Sequence, residues 1–163
     1  MLATPRRDPE RILGGRMRLN GATGGEQLNS ASNIGKSGEV MLISKGVARW
    51  TGRQPVPCGS RVVLTASPKG CLILYRMGTW RRIRTRLFPY LRTTEKKHRS
   101  IRQLARFVIS HAEDAEVSPA GKLYISHTLR DFAKLGGLAL SIATPSYIEI
   151  WSPKELRNAQ EMA

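Results

Sequence analysis

The stretch from His111 to Trp151, HAEDAEVSPAGKLYISHTLRDFAKLGGLALSIATPSYIEIW, constrains this chain more than any other part of it. Val117 and then Leu123 and Ile125 are apolar, and Ser118-Pro119-Ala120-Gly121 lies between them. Proline presets φ at the second turn position and glycine accepts φ > 0 at the fourth, so the spacing predicts a tight hairpin turn. Thr128 to Lys134 reads as a short helix stopped by Gly136-Gly137. Leu138–Ala143 and Tyr147–Trp151 read as two strands joined at Pro145-Ser146. Ser152-Pro153-Lys154-Glu155 has the form of a capping box with proline at the first helical position. The order is hairpin, short helix, hairpin, helix, which is an α+β module.

The same events occur earlier in the chain. Arg61–Thr65 reads as a strand, Ser67-Pro68-Lys69-Gly70 as a turn, Cys71–Tyr75 as a returning strand, and Thr79 as the cap of a helix from Trp80. A glycine-basic pair precedes each unit, Gly52-Arg53 and Gly121-Lys122. Two copies of one pattern predict a duplicated module. Between them, Trp80–Phe88 and Glu95–Ser110 read as helices, with Ile101, Leu104, Ala105 and Val108 at helical spacing. Residues 1–40 are rich in Gly, Ser, Asn and Arg without apolar periodicity, and read as a disordered extension. Gly35-Lys36-Ser37 lacks the upstream glycine of a phosphate loop, since Ser30 stands there.

Charge is placed unevenly. Residues 1–100 hold 20 Lys+Arg and 5 acids, while residues 101–163 hold 7 of each. From Arg76 to Arg106 there are 11 Lys+Arg and a single acid, Glu95. Such asymmetry points to a polyanionic partner, nucleic acid before an anionic membrane. No apolar stretch is long enough to span a bilayer, and the basic N-terminus lacks the apolar core of a secretory signal.

The residues offer no catalytic constellation. His98, His111 and His127 are scattered, and His111 at a helix-to-strand junction reads as a hydrogen-bonded structural histidine. Glu113, Asp114 and Glu116 read as surface or pairing charges. Cys58 and Cys71 lack the spacing of a zinc site, and Cys71, inside an apolar strand, reads as a buried thiol. The expectation is a non-enzyme with no metal, no cofactor and no small-molecule substrate.

Five separate pieces occur in an order that resembles the MraZ family. They are Cys71–Tyr75 with Thr79-Trp80, His111-Ala112-Glu113-Asp114, Ala120-Gly121-Lys122-Leu123, Leu129-Arg130-Asp131-Phe132-Ala133 with Leu135-Gly136, and Ile148-Glu149-Ile150-Trp151. The resemblance runs from about Cys71 to Arg157, is weaker over 41–70, and is absent over 1–40. It implies a bacterial transcriptional regulator built from two swapped-hairpin β modules of the SpoVT-AbrB, double-psi-like type. The expected layout is an extension (1–40), a degenerate first module (41–79), a basic helical hairpin (80–110), a second module (111–154) and a C-terminal helix or tail (155–163).

The resemblance further implies double-stranded DNA as partner, and a ring-like homo-oligomer on direct repeats in the promoter of the division and cell-wall gene cluster. It implies a cytoplasmic, nucleoid-associated protein with no membrane partner. Its loop pattern is Asp-x-x-Gly-Arg. On this chain the final arginine falls on Arg53 and on Lys122, and the acid on Arg49 and on Ser118. The DNA-binding candidates are therefore Arg49, Gly52, Arg53, Gly121, Lys122 and Arg130. Lys122 keeps charge but lacks the bidentate fork that arginine offers guanine. Members of the family carry a short helix before the strand at Arg61, where this chain has only Val56-Pro57-Cys58-Gly59-Ser60. A basic nucleic-acid binder without specificity, or an oligomeric scaffold that has lost DNA binding, are the competing readings.

Overall fold

The computed structural model describes residues 40–162. Its strands are β1 (Val40–Ser44), β2 (Val47–Trp50), β3 (Arg61–Ala66), β4 (Leu72–Arg76), β5 (Glu113–Glu116), β6 (Lys122–Tyr124), β7 (Leu138–Ala143) and β8 (Ile148–Trp151). The helices are α1 (Met77–Arg92), α2 (Arg99–Ser110, after a 3-10 turn at Lys96–His98), α3 (His127–Phe132) and α4 (Pro153–Glu161). All eight strands form one antiparallel sheet in the order β5-β3-β4-β8-β7-β1-β2-β6. The two end strands are consecutive in the chain, and Val117 bridges Leu123 between them. The sheet thus curls into a near-barrel. This is the α+β class expected from the sequence.

The halves of the chain interleave. Strands β3 and β4 lie beside β8 and β7, which lie beside β1 and β2, which lie beside β6. Alternation along each strand then divides the apolar residues into two cores. Met41, Ala48, Leu64, Leu72, Leu74, Leu123 and Ile150 point inward and fill the barrel. Val63, Ile73, Tyr75 and Trp151 point outward, and there meet Trp80, Ile83 and Leu87 of α1, Ala105 and Val108 of α2 and Leu156 of α4. The helices therefore cover the outside of β3, β4, β8 and β7. The outside of β1, β2 and β6 carries none of them.

Several expectations are corrected. Val40, assigned to the N-terminal extension, belongs to β1 and pairs with Leu140; the rest of that extension and Gly35-Lys36-Ser37 lie outside the described residues. Helix α1 starts at Met77 with Arg76 at its N-cap, so Thr79 lies inside the helix rather than capping it. It also runs past Pro89 to Arg92, because Tyr90 and Leu91 pack on the outer core and hold the last turn. Ser152 stands at the N-cap of α4, but its side chain accepts no capping bond. Glu113, Asp114 and Glu116 form β5, paired with β3, and Glu113 accepts a hydrogen bond from Ser126 Oγ at 2.9 Å. The strand escapes a periodicity search because Glu113-Asp114-Ala115-Glu116 holds three acids and a single apolar residue. The apolar strands also leave little open edge, since the circuit of strands closes.

The outer core contains an unusual polar centre. Glu149 is 2% exposed; its Oε2 accepts from Trp151 Nε1 at 2.7 Å and lies 3.9 Å from Cys71 Sγ. Burial, and then the Glu149 carboxylate, push the Cys71 thiol from its ordinary 9.0 up to about 12. Tyr75 and Tyr147 are pushed the same way, again mainly by burial. Two outcomes follow. A thiol reagent at neutral pH should titrate exposed Cys58 in the native protein and reach buried Cys71 only on unfolding. Stability should be full below pH 9, where Cys71 is protonated folded or unfolded, and should fall as pH rises toward about 12 because only the unfolded thiol ionises. The slope is on the order of 1 kcal/mol per pH unit. Urea midpoints at pH 8 and pH 10.5 check it, with Cys71→Ala expected to reduce the difference and leave the part due to Tyr75 and Tyr147.

Candidate nucleic-acid interface

Strands β2 and β6 form a two-stranded ribbon on the side of the barrel that α1, α2 and α4 leave open. Their register pairs Val47 with Tyr124, Ala48 with Leu123, and Arg49 with Lys122. Ala48 and Leu123 point inward and are fully buried. By alternation Val47, Arg49, Lys122 and Tyr124 stand on the outer face. Arg49 and Lys122 are thus neighbours on adjacent strands, both exposed. Tyr124 beside them is 60% exposed.

The ribbon is built from the same element twice. A glycine of positive φ precedes each strand: Gly46, φ 81°, before β2, and Gly121, φ 74°, before β6. Only glycine holds that conformation without strain. The residue after Gly46 pairs with the third residue after Gly121, and the reverse holds as well. A local two-fold axis therefore passes between Ala48 and Leu123. It makes Gly46-Val47 the counterpart of Gly121-Lys122.

This relation relocates part of the expected site. The turn at Ser118–Gly121 forms as the sequence predicts, with Gly121 N donating to Ser118 O at 2.8 Å and Ser118 N donating to Lys122 O at 2.9 Å. Lys122 opens β6 beside Arg49. Gly52 and Arg53, in contrast, are at no hairpin tip: they follow β2 in an exposed irregular segment. The first turn is Lys45-Gly46, and Val47 stands where the second half carries Lys122. Pairing Arg53 with Lys122 fails because Gly46, and not Gly52, is the positive-φ glycine that opens the ribbon strand in the first half. The missed signal is Ile43-Ser44-Lys45-Gly46-Val47-Ala48, a Lys-Gly pair between two short stretches that carry β-branched apolar residues. Tyr124 was also missed, because exposure of an aromatic residue in a strand is decided by which face the register selects.

Arg130 comes to the ribbon from α3. Ser126 caps this helix, its Oγ accepting from Leu129 N at 3.3 Å. Arg130 Nε donates to Ile125 O at 2.9 Å, and Ile125 N donates to Gly46 O at 2.9 Å. A Cβ on Gly46 would meet Tyr124 Cε2 at 3.0 Å and Arg130 Nη2 at 3.3 Å. Arg130 and Tyr124 therefore hold the first turn in place. The first half has no helix equivalent to α3, as the short segment before Arg61 leads one to expect. There Gln54 lies over Gly121, its Oε1 2.6 Å from where a Cβ would be. Gln54 Nε2 also bonds to Val56 O.

Beyond the ribbon the outer face turns apolar. Leu42 pairs with Arg49 on one side and with Leu138 on the other. Leu138, Leu42, Arg49 and Lys122 thus form one row across four strands. Leu42 is 53% exposed and Leu138 43%. His111 is structural: its Nδ1 lies 2.7 Å from Phe107 O, and its ring packs on Phe107 and Phe132. Among the described residues no three metal-ligating side chains come together, and no helix is long and apolar enough to cross a membrane.

The barrel of interleaved halves, with its symmetric ribbon, defines a swapped-hairpin β protein. Comparison with known proteins carries this further. The chain is 32% identical over 121 residues to the transcriptional regulator MraZ of Nitrosomonas europaea, covering 71% of this chain and 78% of that protein. It is 30% identical over 119 residues to the MraZ of Nitrosomonas eutropha, with 71% and 78% covered. To that of Thioalkalivibrio sulfidiphilus it is 28% identical over 119 residues, with 73% and 74% covered. No protein-family model matches the chain. The chain belongs to the MraZ family.

Proposed function

We propose that this protein is a DNA-binding transcriptional regulator that contacts duplex DNA through the outer face of the β2–β6 ribbon. The observation that carries the reading is the adjacent placement of Arg49 and Lys122 on a rigid two-stranded support flanked by two glycine turns. A ribbon of this width enters a major groove, and its cations reach phosphates and base edges. The names of its relatives, all transcriptional regulators, support the same role. In this reading the targets are short promoter repeats of the division and cell-wall gene cluster, bound by a ring-like homo-oligomer in the cytoplasm at the nucleoid. Each ribbon then need bind only modestly, because several act together. The domain layout in this reading is two half-modules sharing one barrel, with α1 and α2 inserted between them.

A gel-shift titration on the upstream fragment at two salt concentrations tests the role. Lys122→Ala and Arg49→Ala should each weaken binding and lower the salt slope by about one phosphate contact per ribbon engaged. Arg53→Ala should do less, since Arg53 lies off the ribbon. Binding left unchanged by both Arg49→Ala and Lys122→Ala would refute the ribbon. Val47, the uncharged counterpart of Lys122, favours a second reading in which the protein binds duplexes without preference. Equal affinity for any duplex of the same length selects it.

Exposed Leu42 and Leu138 support self-association through the apolar half of the same face. Sedimentation at micromolar concentration should show a multimer that Leu42→Asp reduces to smaller species. An unaltered multimer would rule out this face as the contact.

A further inference from the structure

A second cationic surface lies on the helical side of the molecule. Helix α1 carries five arginines and no acid within Met77–Arg92. At 100° per residue, Arg81, Arg84, Thr85, Phe88 and Arg92 fall on one outward stripe, and together with Pro89 they line a shallow groove. Arg84 sits 5.3 Å above the Phe88 ring, which restrains its guanidinium. Arg81, Arg84 and Arg92 make no ion pair with a carboxylate among the described residues; the pairs there involve Lys97, His98 and Lys134. Arg81 to Arg92 spans roughly 16 Å at the helical rise. Over such a length a duplex presents several phosphates.

We propose that this arginine stripe is a second, sequence-independent duplex-binding surface, so that one molecule can hold two segments of DNA. The proposal rests on the reading that the ribbon binds duplex DNA. Its geometry comes from the strand circuit. Helix α1 packs on β3 and β4. In the closed order of eight strands β3 and β4 lie two to four places from the ribbon strands β2 and β6, so the two surfaces look out from different sectors of the barrel. A straight duplex seated on the ribbon follows one sector only, and the arginine stripe is left for a second segment.

The chemistry selects phosphate over a bilayer. The apolar side of α1, with Trp80, Ile83 and Leu87, is buried in the outer core. A helix that binds a membrane surface needs that side free to insert. What remains is a row of planar guanidinium groups, which suit phosphate oxygens.

The test uses the full-length chain in a capture assay. One duplex carrying the upstream fragment is immobilised, the protein is bound, and a second, fluorescent duplex of unrelated sequence is added. Wild type should capture the second duplex in a strongly salt-dependent manner. Arg81→Ala, Arg84→Ala and Arg92→Ala combined should cut that capture about ten-fold or more while leaving the footprint on the first duplex unchanged. Melting temperature confirms that the triple variant folds, as expected for exposed positions. Retained capture in the triple variant, with loss in Arg49→Ala combined with Lys122→Ala, would overturn the second surface and leave the ribbon reading intact. Loss of all binding in the triple variant, with none lost in the ribbon variant, would overturn both. A triple variant that loses affinity for phosphatidylglycerol vesicles but not for the second duplex would also overturn the proposal, in favour of a membrane role.

Discussion

Arg49→Glu combined with Lys122→Glu is expected to weaken duplex binding by the ribbon severely. Each reversal removes a phosphate contact and puts a carboxylate against the DNA. The two residues are paired across β2 and β6, so their effects fall on the same phosphates. The loss should be on the order of a hundred-fold at low salt, larger than the sum of the two alanine variants. Both side chains are exposed strand residues on the outer face, so the fold should survive. Anisotropy titration with a fluorescent duplex checks the affinity, and circular dichroism checks the fold. Full affinity in the double reversal would exclude the ribbon as the DNA-contacting surface.

The second large effect is one of stability. Trp151→Phe should destabilise the protein by about 2–4 kcal/mol, although it keeps an aromatic ring in place. The indole Nε1–H is the donor to Glu149 Oε2, and Glu149 is buried beneath the helices. Phenylalanine cannot replace that donor, so the carboxyl group loses its close partner in a medium where water cannot substitute. Glu149→Leu in the Trp151→Phe background should recover part of the loss. Urea denaturation of the three proteins measures it. Equal destabilisation with and without Glu149→Leu would mean that indole packing, rather than the hydrogen bond, dominates.

The second half of the chain was legible in detail. Its turn residues are chemically specific: Pro119 and Gly121 define the hairpin, and Pro153 marks the start of α4. The β3–β4 hairpin was legible for the same reason, through Ser67-Pro68-Lys69-Gly70. The first half was less so. Its turn, Lys45-Gly46, has one marker residue, and β1 and β2 are only five and four residues long. The site shows the same division. Lys122 and Gly121 follow from local turn chemistry. The partnership of Arg49 with Lys122 follows from pairing between strands more than seventy residues apart, which no local pattern encodes. The loop pattern points to Arg49 as the acid position of a turn, whereas its place in the structure is that of a ribbon residue. The same pattern points to Arg53, which lies beyond the end of β2.

The local two-fold axis between Ala48 and Leu123 has a consequence for how this surface can vary. In a pair of identical chains related by such an axis, every substitution appears on both sides at once. A change that suits one turn must be tolerated by the other. Joining the two halves in one chain removes that coupling. Here one turn is followed by lysine and the other by valine, and one glycine is covered by Arg130 while the other is covered by Gln54. The chain keeps the mutual support of a symmetric ribbon while its two ends are free to meet chemically different neighbours.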